Sequence, residues 1–388
     1  MKYLPRIKSK MRSLFFRVLY KLLDLFIRGI SKKLLRPRQS DTLLIIRPDH
    51  IGDYVLFRNF LPFIRRAPKY QTSKIILLCN NAFRTLAEYL DSEYVNKFIW
   101  MNEKKYRQNK LSGFLHTFLL NWQIYKTHYH YIFYPVFSRT NFYDKLIDNL
   151  QAAHKIACYG DNVNKDNQSD ITNRVYTQII PTDLQTGIFE FARNKEIISK
   201  FLCQEIDLDY PVIEQVPESS AQTLPGKYIA IHMEASHPNK WSRDNFRQLI
   251  SHIINVKKLP VVLLGLDNSV KFPEEGIIDL RKKITLPEAA AVLSKSGCFI
   301  GNDSGLLHIA AAVGIKKLIV ICYGAYYGRF VPYPEIEGRN YQFIFPPEIA
   351  QSRLALDELK QKYACYNYED IKTIPVSSVL RLVDKVLL

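Results

Sequence analysis

A carboxylate where a buried strand turns into a helix could take a proton from an attacking hydroxyl. The segment "RPDHIGDYVL", Arg47 to Leu56, offers two candidates. The strand is expected to end at Arg47, Gly52 to sit in a tight turn, and Asp53 to begin the helix, so that a carboxylate and the free N–H groups of the first turn face a cleft. There Asp53 suits general-base work, with Asp49 a second candidate four residues earlier; Arg47, Asp49 and Gly52 are expected to line the cleft. Asp is also a favoured N-cap. The turn alone leaves cap and base equally open, and one residue can serve as both.

A second segment, "GNDSGLLHIAAAVG" from Gly301 to Gly314, runs from a buried strand through Asp303-Ser304-Gly305 into a helix of small residues. Gly305 permits close backbone approach, and the helix N-terminus offers N–H groups and partial positive charge to a diphosphate. His308 falls one turn in, on the face pointing back toward a ligand. A tightly packed, capped helix would account for Ser304 and the alanines but not for a polar His308, which favours ligand binding. A third segment, "IHMEASHPNKWSRDNF", carries Lys240 on a loop before a helix opening at Arg243. Lysine on such a loop reaches a phosphate as a mobile point charge. His128 and His130 share one face of an expected strand but lack a third ligand nearby, so no metal site is expected.

These residues need strands and helices to hold them. From Asp41 onward the two alternate: strands at "TLLIIRP", "KIILLC", "KFIWM", "YIFYPV" and "KIACYG", with helices over Tyr54–Ala67 (despite Pro62), Asn81–Leu90 and Ser112–Tyr125. A polar stretch, Asp161–Asp170, reads as an exposed loop. The proline-rich segment 207–226 reads as a linker, after which the alternation restarts at "KYIAIHM" and runs to "KKLIVICYG". Buried strands separated by helices indicate parallel sheets covered on both faces. The expectation is α/β: two Rossmann-like, doubly wound domains, 41–206 and 227–388, facing a central cleft.

The net charge of +17 is concentrated: residues 1–40 hold twelve basic side chains and one acid, Asp24. That leaves a mildly basic body, unlike a nucleic-acid-binding module, whose charge sits on the folded domain. In Ser13–Ile30 the charges Arg17, Lys21, Asp24 and Arg28 recur on one helical face among Leu, Phe, Ile, Val and Tyr. The charges interrupt what a spanning helix or signal peptide requires. A basic amphipathic helix lying on an anionic membrane surface is expected, with a helix packed on the protein body as the alternative. Six scattered cysteines without a C-x-x-C pair fit a reducing, cytoplasmic setting.

In order and separation the three segments resemble glycosyltransferase family 9, the ADP-heptose:lipopolysaccharide heptosyltransferases. "RPDHIGDYVL" is similar to that family's opening strand–turn–helix, "HPNKWSRDNF" to its lysine–tryptophan loop, and "FIGNDSGLLHIAAAVGIKKLIVICYG" to its donor-site signature. The resemblance covers roughly residues 41–388. It implies a GT-B fold and an inverting, metal-independent transfer of heptose or a related sugar to a lipopolysaccharide or other lipid-linked glycan, with no cofactor. By position, Asp53 matches the general base, Lys240 the diphosphate ligand and Asp303 the donor-sugar contact. Ser304, Gly305 and His308 complete the nucleotide-sugar motif. The chain departs from the family at Glu234-Ala235-Ser236, where threonines are common, and after "LLG", where Asp267 stands in for a ribose-binding Glu. The resemblance implies a nucleotide-sugar (ADP-heptose) and the glycan acceptor as partners; the charge pattern of residues 1–40 adds the inner face of the cytoplasmic membrane, and nucleic acid is not among the expected partners. A binding protein that kept the fold and lost the chemistry is the alternative. A nicotinamide enzyme would need a G-x-G-x-x-G that no strand here precedes.

Overall fold

Leu43, Leu44, Ile45 and Ile46 are wholly buried, as a central parallel strand with helices on both faces requires. They lie in β1 (Thr42–Arg47), which pairs with β2 (Lys74–Asn80) on one side and β4 (Tyr129–Tyr134) on the other. With β3 (Lys97–Met101), β5 (Ala152–Cys158) and β6 (Gln178–Ile180) they form a parallel sheet of order β3-β2-β1-β4-β5-β6. A second parallel sheet comprises β7 (Ile229–His232), β8 (Val261–Leu264), β9 (Ile277–Asp279), β10 (Cys298–Asn302), β11 (Lys317–Ile321) and β12 (Asn340–Ile344). Its order, β12-β11-β10-β7-β8-β9, repeats the first winding. Each sheet therefore reverses direction between its first and fourth strands, where such folds open a ligand crevice. This is a computed structural model, described over residues 4–34, 41–161, 163–164, 174–218, 224–235 and 240–387.

The helices are α1 (Leu4–Leu34), α2 (Ile51–Arg58), α3 (Leu61–Arg66), α4 (Arg84–Asp91), α5 (Leu111–Tyr125), α6 (Asn141–Asn149) and α7 (Glu190–Leu202) around the first sheet. Around the second are α8 (Arg243–Asn255), α9 (Leu286–Lys295), α10 (Gly305–Ala312), α11 (Pro347–Ala350), α12 (Leu356–Lys362) and α13 (Val376–Val386). The single helix expected over 54–67 is instead α2 and α3, broken between Arg58 and Leu61. Pro62 explains the break: it lacks an N–H and is tolerated only in a first turn, which is where α3 places it. The helix also starts earlier than expected. His50 is extended and serves as N-cap, so Gly52 lies inside the first helical turn and Asp53 is its third residue. α6, α7, α11, α12, α13, β6 and β12 add to the expected elements.

The N-terminal helix packs on the protein body along one face, as the second of the two expected readings has it. Phe16, Tyr20, Leu23 and Ile27, on one face of α1, are buried in the core beside α5 and the first sheet. Tyr20 Oη donates to the Gln108 carbonyl, and Asp24 pairs with Arg107 at 2.7 Å. The opposite face of α1 stays apolar and exposed. Among the described residues no helix is long and apolar enough to cross a membrane. In the 207–226 segment the described residues lack helix and strand, and Val212 and Ile213 are bonded to α2–α3 and α10 respectively. Most of the expected loop at 161–170, and 236–239 ahead of Lys240, lie outside the described residues.

Candidate active site

At each switch point a helix follows the first or fourth strand, and two such helices meet. α2 follows β1 and α10 follows β10, and their N-terminal turns touch across the two domains. A Cβ built on Gly52 would lie 2.6 Å from Cδ2 of His308, and one built on Gly305 would lie 2.7 Å from Cβ of Ile51. Two glycines therefore let the helices approach closely. Around this contact opens a cavity of about 770 Å³ lined by Asp49, Gly52, Asp53, Asp303, Ser304, Gly305 and His308. Glu103, Ser138, Glu190, Arg329 and several tyrosines complete its wall. Residues far apart in the chain, from both expected motifs, thus face one space.

Arg47 is not part of that wall. It is 1% exposed and lies behind it, with Nη1 donating to the Pro135 carbonyl (2.7 Å) and Nη2 to the Asp53 carbonyl (3.3 Å). Its Nε lies 3.0 Å from Asp49 Oδ2. It thereby fixes the end of β1, the loop after β4 and the start of α2. Asp53 Oδ2 accepts from the His50 N–H at 3.3 Å, a capping contact made from within the helix. Burial and the nearby charge of Glu190 push the Asp53 carboxyl upward, against Arg47 and Arg329. Burial pushes Asp49 up to about 7 despite Arg47. A buried carboxylate whose value is raised binds a proton more strongly than one in water, as general-base work needs.

Beside them lies a clasp that no sequence motif signals. Arg329, from the second domain, donates through Nε to Glu190 Oε2 (2.8 Å) and through Nη1 to Ser138 Oγ (2.6 Å), while the Glu190 N–H donates to the Arg329 carbonyl (2.8 Å). Asp161 lies 3.7 Å from Nη1. The desolvated cation is held by these anions, and the ion pair bridges the domains at the cavity wall.

On the second domain's side, His308 Nδ1 shares a 2.8 Å hydrogen bond with Tyr333 Oη, and His232 Nδ1 shares one of 3.0 Å with Ser304 Oγ. Burial lowers the two imidazoles to about 3 and about 4, so both are neutral at pH 7. Asp303 is raised to about 7 by burial. Asn302 ties the lysine loop to the sheet, accepting from the Trp241 N–H (3.1 Å) and donating to the Met233 carbonyl (2.7 Å). Trp241 is buried and donates to the Ile374 carbonyl, so the exposed Lys240 is attached to a fixed neighbour. Lys240 and Asp267 do not line the cavity. Asp267 faces Arg243 at 2.6 Å, its backbone N–H donates to Glu234 Oε1, and hydrogen bonding from Ser269 lowers its carboxyl to about 2. Among the described residues no cluster of three metal-ligating side chains occurs, and His130 packs against Tyr131 and His154.

Residues 203–333, which include His232, Lys240 and the whole of α10, match the model of glycosyltransferase family 9 (heptosyltransferase). The match spans about a third of the chain and makes this region similar to the family 9 glycosyltransferases. The chain is similar in fold to a family 9 glycosyl transferase from Veillonella parvula, with a TM-score of 0.64, 15% identity and coverage of 91% of this chain and 99% of that one. It is also similar to the E. coli heptosyltransferase WaaC solved with ADP-2-deoxy-2-fluoro heptose (TM-score 0.60, 14% identity, 89% and 99% covered). The E. coli ADP-heptose lps heptosyltransferase II is comparable (TM-score 0.56, 16% identity, 89% and 98% covered). No curated protein sequence matches the chain. The two-domain α/β architecture is that of GT-B heptosyltransferases.

Proposed function

We propose that this glycosyltransferase moves a heptose, or a closely related sugar, from a nucleotide-sugar donor to a lipid-linked glycan by direct displacement with inversion. The observation that carries the reading is the cavity itself, with the α2 carboxylates on one side and the N-terminus of α10 on the other. Asp53 takes the proton of the acceptor hydroxyl as its oxygen attacks the anomeric carbon. The diphosphate departs toward the first-turn N–H groups of α10, whose partial positive charge stabilises it. Lys240 adds a charge from its loop, and Asp303 holds the donor sugar. Asp267 stays a candidate for the ribose, in a position it shares with Arg243 and Glu234. Because protein groups answer the leaving group's charge, the reaction is expected to survive chelation of divalent metals.

ADP-heptose is the proposed donor, supported by the ADP-sugar analogue seen with WaaC. Lipopolysaccharide is the proposed acceptor, supported by the name of heptosyltransferase II. Such an acceptor is anchored in a bilayer, and the basic residues 1–40 would hold the enzyme peripherally at its cytoplasmic face. The test is acceptor-dependent release of ADP from ADP-heptose over heptose-deficient lipopolysaccharide, with the product anomer read by NMR. Release with inversion is expected. Binding of nucleotide-sugars without turnover of any of them would instead identify a binding protein that kept the fold.

A further inference from the structure

We propose that the surface docking on an anionic bilayer is a two-helix platform, α1 together with the exposed leucine stripe of α5, rather than the N-terminal segment alone. This rests on the membrane-peripheral reading above and extends it to a part of the globular domain.

On α1, Leu14, Phe15, Val18, Leu22, Leu25 and Phe26 are 49–66% exposed, on the face opposite the buried Phe16, Tyr20, Leu23 and Ile27. Both sides of this helix are therefore apolar, and packing on the body satisfies one side alone. On α5, Leu111, Leu115 and Leu119 recur every four residues and are 51–68% exposed. That spacing makes one stripe, and Phe118, stacked on Trp122, lies along its edge. The two helices are neighbours in one layer: Tyr20 packs against Phe114 with ring centroids 5.9 Å apart, and Arg107, just ahead of α5, holds Asp24. Two outward apolar strips thus lie side by side. Monomeric surfaces seldom leave so much large apolar side chain together without a use for it.

Charge decides the occupant. Arg17 and Lys21 are exposed along the flank of α1, and Lys104, Lys105 and Lys110 are exposed on the segment leading into α5. The only acid in residues 1–40, Asp24, is already paired. Apolar strips bordered by exposed cations suit acyl chains beneath anionic headgroups, whereas a second copy would bring the same cations face to face. The position also suits the chemistry. Glu103 lines the cavity, Gln108 accepts from Tyr20 of α1, and Leu111 begins α5. The segment leading into α5 therefore connects the cavity wall to the platform, on the side where a bilayer-anchored acceptor would enter.

The experiment uses the full chain and vesicles of phosphatidylglycerol and phosphatidylethanolamine in equal parts, with phosphatidylcholine vesicles as the uncharged comparison. Sedimentation measures partitioning of the wild type, of Leu22→Ser/Phe26→Ser on α1, and of Leu111→Ser/Leu115→Ser/Leu119→Ser on α5. Unchanged melting temperatures verify that these surface changes leave the fold intact. Each variant is expected to lower partitioning to the anionic vesicles at least about 10-fold, since each removes several apolar side chains from lipid. Trp122 fluorescence should shift to the blue on binding, and Trp122→Phe should remove that shift. Loss in the α1 variant alone, with no Trp122 shift, would overturn the platform while leaving the N-terminal membrane reading intact. No loss in either variant would overturn both. A dimer that the α5 variant turns into monomer, with vesicle binding unchanged, would make the stripe a self-interface and also overturn the platform.

Discussion

Gly52 of the first domain lies against the imidazole of His308 of the second, so closely that a Cβ at Gly52 would meet His308 Cδ2 at 2.6 Å. Neither backbone conformation nor turn type asks for glycine there, since Gly52 is an ordinary residue of a first helical turn. What demands it is the approach of α2 to α10, which brings the Asp53 carboxylate into one cavity with the N-terminus of α10.

Gly52→Ala should therefore separate the two helix ends by a fraction of an ångström to an ångström. Displacements of that size cost reacting groups roughly 100-fold in rate, so kcat/KM should fall by that order while far-UV circular dichroism is unchanged. A kcat/KM within twofold of wild type would show that the close contact is not needed for turnover.

The carboxyl pair predicts an acid limb in the pH profile. Asp53 must be ionised to accept a proton, so kcat/KM falls as pH drops through its folded-state value, which burial and Glu190 raise. Removing the Glu190 charge removes one raising cause. Glu190→Gln should shift the limb of kcat/KM toward lower pH, whereas Arg329→Gln, which removes a lowering charge, should shift it upward. A purely structural clasp would lower the rate in both variants without moving the limb in opposite directions.

α1 is part of the folded domain as well as its surface. Phe16 and Leu23 fill the core beside α5, and truncating a buried Phe or Leu costs about 2–5 kcal/mol. Phe16→Ala/Leu23→Ala should lower the melting temperature by several degrees, measured by calorimetry without vesicles. An unchanged melting temperature would mean that α1 leaves the body in solution.

Much of this site was legible because its motifs are local. The buried runs before Arg47 and Asp303 specify strands, and the glycines and acids after them specify strand–helix junctions, which is where the structure has them. Gly52 was misread as a turn residue because the reason for it, His308, lies far along the chain and in the other domain. The Arg329–Glu190 clasp left no trace for the same reason: the partners are 139 residues apart, and neither belongs to a periodic pattern. α7 did carry a signal, with Phe191, Ile197, Ile198 and Phe201 at helical spacing and buried together. Arg47 is expected in the cleft from its place at the end of β1, whereas the last residue of a buried strand can as readily turn inward, and here it does.

The central claim is that Asp53 is the base in a transfer across this cavity, and steady-state turnover of Asp53→Asn with ADP-heptose and a heptose-deficient acceptor tests it most directly. The substitution keeps the size of the side chain and removes its basicity, so turnover should fall at least about 100-fold, with ADP affinity by calorimetry close to wild type. Near-normal turnover would contradict the claim, leaving Asp53 as a helix-capping residue and turning attention to Asp49.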